Sequence, residues 1–391
     1  MKYNFDETID RCNTGSLKWD FCEKYLDADD VLPMWVADMD FQAPAPVIEA
    51  VKERAEHGIY GYAEESRSFY EAAASWLQQR HNWPVKTDWL QFCPGIVPAV
   101  HLLVQTFTHP GDQVIVQTPV YYPFFGAITT AGCHILNNPL KLENGRYLMD
   151  FDDLEKKANQ AKLLILCSPH NPGGILWSRD DLLRLGDICL KNNLLVISDE
   201  IHADLVLYKQ KHWPFASLSE ELAMNSITTV APSKTFNLAG LQASYVITPN
   251  PDLATAYKSA LEKAAIARPN LFAIAASEAA YNHGEEWLDQ MLVYLEETHR
   301  FVENFIEKEI PKLSIIKAQA SYLAWIDCRQ LGFTPEELKD FMLKEAGLGL
   351  NQGYIFGEGG EGFVRMNLGC PRALVARALE KLKHAVNSLQ T

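Results

Sequence analysis

Between residues 89 and 248, short apolar runs alternate with stretches of helical period. The runs are WLQFCPG (89–95), QVIVQTP (113–119), KLLILCSP (162–169), LLVISDE (194–200), SITTVAPSK (226–234) and SYVIT (244–248). Helix-period residues follow several of them, from about Val97 and from Asp180 to Asn192. Strand-length apolar runs separated by helices predict a largely parallel sheet with both faces covered. Asn144-Gly145 predicts a hairpin-like turn. Upstream, the first forty residues predict no regular element. A helix is predicted over 44–57, a loop at the glycines of Gly58–Tyr62, and a second helix over 69–80.

After Pro269 the pattern changes. Leu288, Met291, Leu292, Leu295, Val302, Phe305 and Ile306 recur at three-to-four spacing, which predicts one long amphipathic helix. Strand-like YLAWIDC (322–328), a helix over 334–345, strand-like FVRMNLG (363–369) and a terminal helix from 371 follow. The pattern predicts α/β architecture: a large domain with a mostly parallel sheet flanked by helices, and a smaller α+β domain. The expected division is an arm at 1–47 that joins the small domain, a large domain at 48–285 and a small C-terminal domain at 286–391.

The chain has 391 residues, enough for two domains, and its composition is that of an ordinary globular protein. The formal net charge of −15 argues against nucleic-acid binding. The N-terminal stretch MKYNFDETID lacks the basic flank and apolar run of a signal peptide, and no apolar run approaches a membrane span. A cytoplasmic protein without a membrane partner is expected. Eight cysteines are scattered with no C-x-x-C pair, so no metal site is expected. Cys93 and Cys167, in apolar runs, read as core fillers.

Ligands of open parallel sheets sit beyond the carboxyl ends of the strands. Those ends carry Gly95-Ile96-Val97, Tyr121-Tyr122, Asn171-Pro172-Gly173-Gly174, Asp199 and Ser233-Lys234. Together they describe a base, an acid, an amide, stacked rings and an anion site. Asp199 serves either as a helix cap or buried turn residue, or as the acid that keeps a pyridine nitrogen protonated. Lys234 is either a surface lysine with a snorkelling stem or a Schiff-base lysine whose burial lowers its pKa. Gly95, Ile96 and Val97 are either an ordinary strand-to-helix turn or a phosphate seat of free helix amides.

The motifs SPHNPGG (168–174), SDEIH (198–202) and SKTFNLAG (233–240), in this order and spacing, resemble those of the fold type I pyridoxal 5′-phosphate (PLP) enzymes of the class I/II aminotransferase superfamily. The resemblance implies PLP as cofactor, with Lys234 as its Schiff-base lysine. It implies Asp199 at the pyridine nitrogen, Asn171 at the ring hydroxyl oxygen and Tyr121 stacked on the ring. Tyr122 would face the substrate as a catalytic residue. The amides of Gly95, Ile96 and Val97 and the Ser233 hydroxyl would cradle the phosphate. Arg365 would hold the substrate carboxylate, or else is a structural strand-end arginine. Tyr62 would reach the phosphate of a neighbouring subunit, which implies a homodimer with shared active sites.

Three positions depart from the aminotransferase pattern. His202 stands where a tyrosine is usual, Gln242 where an arginine is usual, and Ala231 where a serine is common. Those departures, with PMWVADMDF (33–41) and TPVYYPFF (118–125), resemble the cystathionine β-lyase and C–S lyase branch of MalY/PatB type. That branch implies α,β-elimination from cystathionine or related cysteine S-conjugates, giving a thiol, pyruvate and ammonia. His202 then either tunes the ring oxygen or fills a polar gap. Two rivals are kept: an aminotransferase, and a regulatory protein that binds a transcription factor.

Overall fold

A computed structural model describes residues 2–266 and 268–389. The outer limits expected for the arm and the small domain, residues 1 and 391, lie outside the described residues. The apolar runs form a seven-stranded sheet from β1 (Leu90–Cys93), β2 (Gln113–Val116), β3 (His134–Asn137), β4 (Leu163–Cys167), β5 (Leu195–Asp199), β6 (Ser226–Val230) and β7 (Ser244–Ile247). Their order across the sheet is β1-β7-β6-β5-β4-β2-β3. All run parallel except β7, which is antiparallel to both neighbours.

The strand period of two explains why β4 is apolar throughout. Leu163, Ile165 and Cys167 pack on one face with Val100, Leu103 and Val104. Leu164 and Leu166 pack on the other with Leu182, Leu185 and Ile188. Full burial of each such side chain contributes about 1.5–3 kcal/mol before entropy is counted. The covering helices are α1 (Ala45–Glu56), α2 (Arg67–His81), α3 (Ile96–Phe107), α4 (Pro123–Thr130) and α5 (Arg179–Lys191). A short helix α6 (Pro232–Thr235) follows β6, and α7 (Leu271–His283) leads into the 25-residue α8 (Glu285–Glu309).

A second, antiparallel sheet holds β8 (Ser314–Ile316), β9 (Leu323–Asp327), β10 (Asn351–Gln352) and β11 (Phe363–Asn367), in the order β8-β9-β11-β10. Val302 and Ile306 of α8 share a core there with Ile326, Val364 and, from α9 (Arg372–Ser388), Val375 and Leu379.

Several expectations need correction. The arm is not wholly irregular: it forms short helices at Leu17–Asp20 and Cys22–Leu26, and Leu32–Pro33 pairs in parallel with Leu348–Gly349. The helix expected over 334–345 is α-helical only at Pro335–Asp340, then widens to a π turn at Phe341–Glu345. Strands β3, β8 and β10 lack a sequence signal of their own. The hairpin expected at Asn144-Gly145 joins Lys141–Glu143 to Arg146–Leu148, with both turn residues at positive φ.

Candidate active site

Because β1, β2, β4, β5 and β6 run parallel, the residues that follow them gather on one edge of the sheet. Antiparallel β7 brings the residues just before it, Gln242-Ala243, to the same edge. They enclose a cavity of about 190 Å³ lined by Gly95, Ile96, Val97, Tyr121, Asn171, Asp199, His202, Ser233, Lys234 and Gln242, among others. Nine of the sequence candidates therefore meet in one cavity. Cys167 lines it as well, so it does more than fill the core.

At one end lies the start of α3. Gly95 is its N-cap and offers no side-chain cap, and Pro98 has no N–H, so the amides of Ile96 and Val97 are the free donors of the first turn. A Cβ on Gly95 would have only the Pro98 ring within 4 Å. No protein atom demands a glycine there, and its extended φ of 174° suits any residue. The open space beside it belongs to the cavity.

Asp199 ends β5 and is buried. Ile201 N–H (3.2 Å) and the Thr229 hydroxyl (3.5 Å) both donate to its Oδ1. Burial, reinforced by the neighbouring Glu200 charge, pushes its pKa up to about 7. His202 is buried with an unpartnered Nδ1. Burial and the nearby Lys234 and Arg365 charges lower its pKa to about 3, so the imidazole is neutral.

Lys234 sits in α6 and is half-buried at the cavity wall. Its Nζ donates to the Ala37 carbonyl at 2.5 Å, which also accepts from the Tyr322 hydroxyl at 2.9 Å. Desolvation is the main cause that lowers the lysine pKa, to about 8; the Asp38 and Asp199 charges oppose it. Tyr121 lines the cavity and is largely desolvated, so its phenol stays protonated far above neutrality.

Arg365, on β11, is buried beside the cavity without lining it. It donates to Asn171 Oδ1 (3.0 Å), the Trp35 carbonyl (3.1 Å) and Asn351 Oδ1 (2.6 Å), and its Nε has no partner. All these acceptors are neutral. Burial pulls the guanidinium pKa below its usual value, the mark of a buried cation that lacks its counter-ion.

Two candidates stand apart from the cavity. Tyr122 is 38 % exposed, its ring 5.6 Å from Tyr121 and 5.7 Å from Phe356. Tyr62 is fully exposed, in a segment with exposed Ile59 and Tyr60. The sequence reading missed Ala37 and Tyr322. A backbone acceptor carries no side-chain signal, although PMWVADMDF had already marked its segment.

Residues 29–382 match the family model of aminotransferase class I and II. The chain is 46 % identical to cystathionine β-lyase PatB of Bacillus subtilis, covering 98 % of this chain and 100 % of that protein. Among solved structures it is similar to cystalysin from Treponema denticola, which contains a pyridoxal 5′-phosphate cofactor (TM-score 0.96, 38 % identity, full coverage of both chains, 100 % and 100 %). It is also similar to the PLP-bound C–S lyase of Staphylococcus hominis (TM-score 0.93, 35 % identity, covering 99 % of this chain and 98 % of that one).

Proposed function

The chain belongs to the aminotransferase class I and II family, and on that premise we infer that it is a PLP-dependent carbon–sulfur β-lyase acting on cystathionine or related cysteine S-conjugates. The observation that carries the amino-acid part of this reading is the buried Arg365 guanidinium, held by neutral acceptors and ready for a carboxylate.

The cavity residues fit the cofactor. The free amides of Ile96 and Val97, with the Ser233 hydroxyl, suit a phosphate, and Gly95 leaves room for it. Asp199 suits a cationic ring nitrogen, whose charge would keep the carboxylate ionised. Tyr121 would stack on the ring, and Asn171 and the unpartnered His202 Nδ1 would serve the ring hydroxyl oxygen. Gln242 brings no charge where an arginine is usual, so the helix amides carry more of the phosphate binding.

When bound, PLP would supply a conjugated ring that, carried on the substrate amine in place of Lys234, accepts the electron pair left when the Cα–H bond breaks. Arg365 binds and orients the substrate carboxylate. Lys234, with a pKa lowered to about 8, is uncharged often enough near neutrality to take the Cα proton at Nζ. The Ala37 carbonyl and Tyr322 hydroxyl fix where that amine stands. Tyr122, at the exposed edge, would face the departing thiolate. For a thioether R–S–CH2–CH(NH3+)–COO−, loss of RSH and addition of water give pyruvate and ammonium.

A second copy of the chain completes the reading, with its Tyr62 at the phosphate end of this cavity. The full exposure of Tyr62 within its own chain supports this. A cytoplasmic location belongs to the same proposal, and the eight free cysteines support it. No described helix is long and apolar enough to cross a membrane. The division into an arm at 1–47 and domains at 48–285 and 286–391 is part of the same proposal. Release of thiol, pyruvate and ammonia in equal amounts from L-cystathionine tests the function.

A further inference from the structure

The end of β5 and the segment after it carry two kinds of polar residue. Asp199 and His202 line the cavity, whereas Glu200 and Asp204 do not, and both are buried. Asp204 Oδ1 accepts from Trp76 Nε1 at 3.0 Å and lies 2.7 Å from His81 Nε2. Its Oδ2 accepts from the Thr235 hydroxyl at 2.7 Å. Thr235 is fully buried and adjoins Lys234. Burial alone would raise the Asp204 carboxyl pKa; the bonds from His81, Thr235 and Trp76 outweigh it and hold the group below the usual range.

Glu200 repeats the arrangement at the Asp199 end. Its Oε2 lies 2.7 Å from His212 Nε2, and its Oε1 accepts from the Ser198 hydroxyl and Phe215 N–H, each at 2.8 Å. The His81 and His212 rings meet edge to face, 5.6 Å apart.

Buried carboxylates of this kind add little net stability over a well-packed apolar core, but they fix geometry through directed bonds. We propose that Asp204 is a positioning residue: through Thr235 it sets the turn that carries Lys234 and ties that turn to α2, while the Glu200–His212 pair anchors the same segment beside Asp199. The lysine and the cavity-facing residues Asp199 and His202 are thereby held in one fixed relation. Nothing in this arrangement touches the cavity, so its effect on the reaction is entirely through placement.

The inference rests on the reading of Lys234 as the PLP-binding, proton-moving lysine. Its test compares wild type with Thr235→Val, which keeps the shape but loses the hydroxyl, and Thr235→Ser, which keeps the hydroxyl. PLP is added to cofactor-free protein, and the first-order growth of the visible absorbance is followed before any substrate is present; kcat and KM are then measured with L-cystathionine. Thr235→Val should slow band growth and lower kcat by about tenfold or more, the scale of a small misplacement of a reacting group, with KM within about twofold. Thr235→Ser should restore both. Asp204→Asn, which keeps the volume, should slow band growth in the same way, and it stands in if Thr235→Val does not fold. Wild-type band growth in the valine and asparagine variants, or a serine variant as slow as the valine one, overturns the proposal. Wild-type protein that takes up no PLP overturns instead the functional reading beneath it.

Discussion

Arg365 and Asn171 are 194 positions apart in sequence and share a 3.0 Å hydrogen bond deep in the protein. The bond joins a strand of the smaller sheet to the loop after β4 and aligns one amino group of the guanidinium. Nε lacks a partner, and no acceptor neutralises the charge. A substrate carboxylate would do both. Replacing Arg365 by leucine should lower kcat/KM by roughly 30-fold or more, equivalent to about 2 kcal/mol for a lost buried charge pair. Arg365→Lys should recover little, because a lysine lacks the planar fork. Steady-state kinetics on both variants checks this.

Lys234→Ala should abolish the Schiff-base absorbance of the bound cofactor. Loss of its proton transfer alone should reduce turnover by about 10²- to 10⁴-fold. Absorbance and product formation on the same preparation separate the two effects. Wild-type turnover in this variant would contradict the assignment of Lys234.

The raised pKa of Asp199 has a consequence for stability in the cofactor-free protein. Its folded-state value of about 7 lies above its ordinary 3.8, so the folded protein binds the proton more tightly than the unfolded chain. The stabilisation from that proton is complete below pH 3.8 and is lost as the pH rises through about 7. Asp199→Asn removes this dependence. The melting temperature of cofactor-free Asp199→Asn should therefore gain on that of wild type between pH 4 and 7, while the PLP-loaded variant loses activity.

Tyr62 tests the shared site. Tyr62→Ala should fold as wild type does, because the side chain is fully exposed, yet bind PLP more weakly. At a PLP concentration too low to fill Tyr62→Ala, mixing it with Lys234→Ala and letting subunits exchange should regenerate activity. Each mixed dimer then has one site with both residues intact, so an equal mixture should approach about a quarter of wild-type activity. No gain on mixing would contradict a shared site.

The parallel strands were legible because burial on both faces makes them continuously apolar, as in Leu163–Cys167. β3 was not: its residues His134 and Ile135 are exposed at the sheet edge, so no buried run marks it. Asn351–Gln352 is polar and takes its strand form from pairing with β11. The direction of β7 has no local signature at all, yet it delivers Gln242 to the cavity. The strand-end residues Gly95, Tyr121, Asn171, Asp199 and Lys234 could be gathered from sequence because parallel topology sends them to one edge. The Ala37 carbonyl, placed 197 residues from Lys234, is a product of tertiary structure alone.

The most direct test is the product balance of PLP-loaded protein given L-cystathionine, with thiol, pyruvate and ammonia followed together. Equal release of all three is the predicted result. Bleaching of the cofactor absorbance without ammonia, reversed by added keto acid, would contradict elimination and identify an aminotransferase.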